Sequence, residues 1–170
     1  MRILTVCCNT LLLVFLAWAN TTLADNPIQP APNGLELPKD YKDWRLISSS
    51  HRIDIDSMRV ILGNDIAIEA ARNGNTNPWP EGAILAKLVW EETKEDNWQA
   101  AIAPGKFTHA EFMVKNTGLY QSTGGWGYAR WLGTEQKPYG NNADFVQECV
   151  ACHTPVKHRD WVYTTPAALP

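Results

Sequence analysis

Ala83-Ile84-Leu85-Ala86-Lys87-Leu88-Val89-Trp90-Glu91 interleaves two sets of side chains. Ile84, Ala86, Leu88 and Trp90 share one face and Leu85, Lys87 and Val89 the other, the period of two that belongs to a strand and not to a helix. Phe107 to Lys115 alternates again, with Thr108, Ala110, Phe112 and Val114 opposite Phe107, His109, Glu111 and Met113. Gly124-Gly125 is a turn, and Trp126 to Leu132 is a further strand in which Gly127 and Ala129 leave room for bulky neighbours. Upstream, Arg45 to Ser50 and Met58 to Leu62 have the composition of short strands, and Pro38 to Trp44 that of a short helix. Asn64 can cap a helix through Ile66, Ala67, Ala70 and Ala71 that stops at Asn73-Gly74. Residues 92–105 read as irregular and 133–142 as a polar loop, after which Asn142 caps a helix from Ala143 to His153. The fold expected is α+β: a predominantly antiparallel β-sheet with a few helices, the last of them C-terminal.

That last helix carries Cys149-Val150-Ala151-Cys152-His153, the pattern of a covalent attachment site for c-type haem. Two thiols three residues apart lie on one helical turn and can both reach the porphyrin vinyl groups, and the adjacent imidazole follows under the iron. Zinc and a disulfide are the rival readings. Zinc usually needs four nitrogen or sulfur ligands, and the chain has no second Cys pair near enough in pattern to complete a cage.

The first residues point to export. Arg2 precedes an apolar run from Ile3 to Ala19, which reads as a cleavable signal over residues 1–24 and not as a membrane anchor. Cutting after Ala24 is favoured over Ala19, because Asp25-Asn26-Pro27 opens a polar stretch. Cys7 and Cys8 leave with the signal, so Cys149 and Cys152 are the cysteines that remain. Residues 25–37, rich in Pro, Asn and Gly without periodicity, read as a flexible arm, and residues 38–170 as one domain large enough for its own core. The formal net charge is -3, and removing Arg2 makes it -4. A mildly acidic chain gives no support to binding nucleic acid or an anionic membrane, which leaves small molecules and redox partners. Eight Trp, of which Trp18 falls in the signal, suit either a haem-pocket lining or an ordinary core.

With these elements in place the chain resembles the cytochrome P-460 family, which includes the gas-binding cytochromes c′-beta. The resemblance is carried in order by Tyr41-Lys42-Asp43-Trp44, Met58-Arg59-Val60-Ile61, Trp79-Pro80-Glu81-Gly82-Ala83-Ile84-Leu85-Ala86-Lys87, Glu111-Phe112-Met113-Val114-Lys115, Gly124-Gly125-Trp126-Gly127-Tyr128-Ala129, the haem motif, and Asp160-Trp161-Val162-Tyr163-Thr164. It implies an antiparallel sheet with helices, a homodimer, and one high-spin haem c whose iron keeps an open face. In P-460 members it also implies a lysine joined to the porphyrin. Lys87 matches that lysine by its place in Gly82-x-x-x-x-Lys87, although a half-buried or edge lysine would alternate in the same way. Arg59 matches an arginine near the haem, where it can pair with a propionate, and a surface arginine would look alike.

Oxidising hydroxylamine requires removal of protons from the iron-bound nitrogen, so a distal carboxylate is sought. By resemblance Asp144 takes that place, one methylene shorter than the family's glutamate, with Glu148 and Glu111 as further candidates. An Asp in the first turn of a helix also serves simply as a dipole partner. His51, His109 and His158 are the histidines available for a sixth ligand, and no Met follows His153 to supply one.

The expected protein is an exported, periplasmic mono-haem c-type cytochrome. Its iron, held by His153, oxidises hydroxylamine or nitric oxide and passes electrons to a soluble cytochrome. The rival readings are a c′-beta-like nitric oxide binder without turnover and a six-coordinate electron carrier.

Overall fold

Six strands follow one another in sequence and in space: β1 (Arg45–Arg52), β2 (Ser57–Gly63), β3 (Ile84–Glu95), β4 (Trp98–Lys115), β5 (Trp126–Leu132) and β6 (Lys137–Pro138). All pairs are antiparallel. The helices are α1 (Asp65–Arg72), between β2 and β3, and α2 (Val146–His153), near the C-terminus. This is the α+β fold expected, in a computed structural model that describes residues 27–169. The signal read over residues 1–24, with Cys7 and Cys8, lies outside the described residues. Among the described residues no helix is long and apolar enough to cross a membrane.

Strand alternation divides the core in two. Ala86, Ala110, Phe112, Ala129 and Trp131 point to one face and pack with Ala31, Leu35, Tyr41 and Phe145. Phe112 is the centre of that cluster, with the rings of Tyr41 at 5.2 Å and Trp131 at 5.5 Å, both edge-on. Ile61, Leu85 and Tyr128 point to the other face, where Ala67, Ile68 and Ala70 of α1 cover one end of the sheet together with Trp79 and Val162. Gly63 lets α1 come that close, because a Cβ there would lie 2.6 Å from Ile47 Cδ1 and 3.0 Å from Ala67 Cβ. Asn64 fixes the start of α1: its side-chain oxygen accepts the N–H of Ala67 at 3.0 Å and of Ile84 at 3.1 Å, and its amide donates to Gly82 O at 2.9 Å.

Three expectations are corrected. Residues 92–105 are not an irregular segment but the outer half of a long β3–β4 hairpin, whose ladder runs on to Glu95 and Trp98. Its bulges broke the alternation that reading relied on: Val89 pairs with His109 but Trp90 with Phe107, so Thr108 is extra and Phe107 turns to the Phe112 face. Residues 27–37 of the arm are packed against the domain. Ala31 and Leu35 are buried, Asn33 Nδ2 donates to Tyr128 O, and Trp131 Nε1 donates to Gln29 O. A turn built on Gly34 at φ +82° has no periodicity to reveal it. Within 133–142 the short strand β6 pairs with Trp131 and Leu132.

Candidate haem site

The strands bring four side chains into a row across the uncovered end of the second face. Ile61 pairs with Lys87, Lys87 with Glu111, and Glu111 with Arg130, so one row crosses β2, β3, β4 and β5. The neighbouring row toward α1 is Leu85, Met113 and Tyr128, and Arg59 lies one row away on β2. Facing them are Cys149, Cys152 and His153 of α2 and the extended segment Val162–Thr165. That segment is tied to the sheet where Ala167 N donates to Ile47 O at 2.8 Å. Between the sheet, α2 and this segment lies a cleft of about 830 Å³, within the range of cofactor pockets.

α2 is preceded by a tight turn at Ala143–Phe145, where Asn142 accepts the N–H of Asp144 at 2.9 Å, so Asn142 caps this turn and not α2 itself. Phe145 anchors it to the Phe112 face, while Val146 and Val150 pack toward the α1 face. The turn between them carries Cys149 against both clusters. Burial pushes the Cys149 thiol up to about 11, so it stays neutral in the folded chain.

His153 is held by its ring. Its Nδ1 lies 2.6 Å from Trp161 O, which requires Nδ1 to carry the hydrogen and leaves Nε2 as the nitrogen able to ligate a metal. The ring packs between Tyr128 and Tyr163, each centroid 5.4 Å away. Burial lowers its pKa, more than the Trp161 carbonyl raises it, which favours the neutral, ligating form.

On the sheet side Glu111 carries three partners. Lys87 Nζ forms an ion pair with Oε2, Arg130 Nε donates to Oε1 at 2.7 Å, and His109 Nε2 lies 3.5 Å from Oε1. Burial alone would raise the carboxyl pKa, but Lys87 and Arg130 outweigh it and hold the group at about 2. Two polar atoms on the walls have no partner: Arg59 Nε and Tyr128 Oη. A buried N–H without a partner is costly, and a carboxylate-bearing ligand reaching the half-buried Arg59 guanidinium would satisfy it. The walls therefore suit a haem: an apolar floor, two thiols with a bare imidazole nitrogen on one side, and a cation for a propionate on the other.

The structure thus brings Arg59, Lys87, Cys149, Cys152 and His153 to one cleft, with Glu111. Asp144 is not brought there. It is exposed in the turn before α2, on the rim of a separate shallow depression with Lys137 and Tyr139. Its N–H serves the Asn142 cap, and the local reading as a helix-start residue is the one its position fits. Glu148 does line the cleft, from its α2 side, but it is exposed and accepts from Tyr139 Oη at 2.8 Å. His51 pairs with Glu92 at 2.5 Å, and His158 is exposed beyond α2. The sequence reading missed Arg130 and Tyr128. Both share the inward alternation of β5, and a charged residue inside Trp126–Leu132 was the signal available. The Trp161 carbonyl left no signal, since a backbone atom has no residue type.

The family model described as Cytochrome P460 matches residues 38–164. No curated protein matches the chain.

Proposed function

The chain belongs to the cytochrome P460 family, and from that membership and the cleft geometry we propose an exported, periplasmic mono-haem cytochrome c that oxidises hydroxylamine or nitric oxide. The observation that carries the reading is one cleft that unites Cys149, Cys152 and the bare Nε2 of His153 with a charged row on the opposite wall. When bound, the haem supplies an iron that can hold a small nitrogenous ligand and accept its electrons. Cys149 and Cys152 would hold it as thioethers, His153 Nε2 would ligate its iron, and Arg59 would pair with a propionate. Electrons leave to a soluble cytochrome, and the protein works as a homodimer.

Glu111 takes the proton-accepting role that the resemblance gave to Asp144: of the two carboxylates that line the cleft it lies on the sheet wall opposite α2, whereas Glu148 lies on α2 itself and is bonded to Tyr139. Clamped between Lys87 and Arg130 it is a weak base. A Lys87 joined to the porphyrin would no longer offer its ammonium to Glu111, and the carboxylate would then gain basicity. The same clamp favours the second reading when Lys87 stays free: a c′-beta-like nitric oxide binder with no competent base. Peptide mass spectrometry of the purified protein separates the two. A haem peptide that retains the Lys87 strand supports turnover, and one that contains Cys149 to His153 alone supports binding.

A further inference from the structure

We propose that Lys115 and Asp160 are positioning residues for the axial histidine, acting through the backbone of Trp161. The inference rests on the haem reading. Lys115 Nζ reaches both oxygens of Asp160, at 2.6 and 2.8 Å, with the two side chains 4 % and 9 % exposed. The ammonium also lies 4.9 Å from the centre of the Trp126 ring. Asp160 is held at two further points: its Oδ2 accepts the N–H of Trp79 at 2.8 Å, and its carbonyl accepts Trp126 Nε1 at 2.9 Å.

All this converges on two consecutive residues in the left-handed region, Asp160 at φ 51° and Trp161 at φ 66°. Such backbone is unfavourable for side-chain-bearing residues and persists where the surroundings over-determine it. It reverses the chain after the turn Thr154–Arg159 and points Trp161 O back at His153 Nδ1. The indole of Trp161 is seated over Gly124, where a Cβ would lie 2.1 Å from Nε1. A buried ion pair is a weak source of net stability, since its desolvation offsets its attraction. What this pair does fix is geometry: the ring orientation of His153, its tautomer, and the strength of the hydrogen bond at Nδ1. That bond raises the basicity of Nε2 and so the electron density the histidine gives to iron.

The test uses the full-length haem-loaded protein with Asp160→Asn, Lys115→Arg and Gly124→Ala. Gly124→Ala displaces the indole without touching a charge, so it serves should Asp160→Asn not fold. The ferrous iron–histidine stretch, read by resonance Raman, is expected to move to lower wavenumber in Asp160→Asn and Gly124→Ala. The midpoint potential is expected to rise with it, and Lys115→Arg to stay near the wild type. Folded Asp160→Asn and Gly124→Ala proteins with the wild-type stretch and potential overturn the proposal. Wild-type protein without covalent haem overturns the haem reading instead. The positioning claim is then decided by the ¹⁵N shifts of His153 in the full haem-free chain: a fixed Nδ1–H lost in Asp160→Asn supports it, and unchanged shifts reject it.

Discussion

Lys87 and Glu111 stand directly opposite each other across β3 and β4, and their ammonium and carboxylate form an ion pair on the wall of the cleft. The pair is half-sheltered, at 31 % and 19 % exposed, so neither solvent nor salt screens it fully. Arg130 extends it from β5, stacking at 4.6 Å on Tyr139 as it does so. One residue thus faces the cleft as an acid anchored by two cations, and every consequence for chemistry depends on whether Lys87 stays in that role.

The first prediction concerns acid stability of the haem-free chain. Glu111 falls from an ordinary 4.5 to about 2 on folding. Because its folded pKa is depressed, the unfolded chain binds the proton more readily. The contribution is complete above about 4.5 and is lost as pH falls toward 2. At about 1.4 kcal/mol per pH unit, this amounts to at most about 3 kcal/mol. Urea unfolding is expected to show Glu111→Gln less stable than wild type near neutral pH, with the gap closing toward pH 2. A gap independent of pH would mean that the carboxylate charge is not what the cations hold.

Lys87→Leu in the haem-loaded protein gives the second. The fold and the thioether-bound haem are expected to survive, since Ala86 and Leu88, not Lys87, face the Phe112 cluster. A crosslinked haem would revert toward the spectrum of ordinary haem c, and hydroxylamine oxidation would fall more than nitric oxide binding. Equal losses in both would show that Lys87 acts through the shape of the cleft and not through the porphyrin.

The rows that build this wall were legible in the sequence because side chains inside β3, β4 and β5 alternate without interruption from Leu85 to Val89, His109 to Val114 and Trp126 to Leu132. That Leu85 and Lys87 share a face followed from that period alone, while the resemblance, not the period, implied that this face borders the haem. The cap at Asn64 was equally local, hence readable. Phe107 was misplaced because the extra residue Thr108 inverts every side chain beyond it, and a bulge leaves no compositional mark. The resemblance put Asp144 in the place of the family's glutamate, nine residues before His153, whereas proximity to the cleft is set by the packing of α2 against β5, which a place along the chain does not encode. The packed arm depends on Ala31 and Leu35 joining a cluster whose members extend along the chain as far as Trp131 and Phe145, beyond the reach of a local pattern.

The third prediction tests the local capping argument. Asn64→Ala removes acceptors for Ala67 N–H and Ile84 N–H together with the donor to Gly82 O. Losing a cap costs about 1 kcal/mol, and a further backbone N–H left partly buried adds about 1 kcal/mol. A loss near 2 kcal/mol by denaturant titration is expected, while Asn64→Asp, which keeps the acceptor, is expected to lose much less. Equal losses would assign the effect to the Gly82 contact.

The final prediction concerns the open iron face that the proposed function requires. No Met follows His153 in the sequence. Of the remaining histidines, His51 is engaged by Glu92, His109 lies between Thr108 at 3.1 Å and Glu111, and His158 is exposed beyond α2. His109 is the one of these beside the cleft row, and burial lowers its pKa, keeping it neutral and in principle able to ligate. Its Nδ1 is nonetheless bonded to Thr108 Oγ1 and its Nε2 lies 3.5 Å from Glu111 Oε1, so reaching an iron would break these contacts. Ferrous protein is therefore expected to be high-spin and to bind carbon monoxide readily at neutral pH, with His109→Ala leaving the spin state unchanged. A low-spin, ligand-inert spectrum that becomes high-spin in His109→Ala would identify His109 as a sixth ligand and turn the protein into an electron carrier.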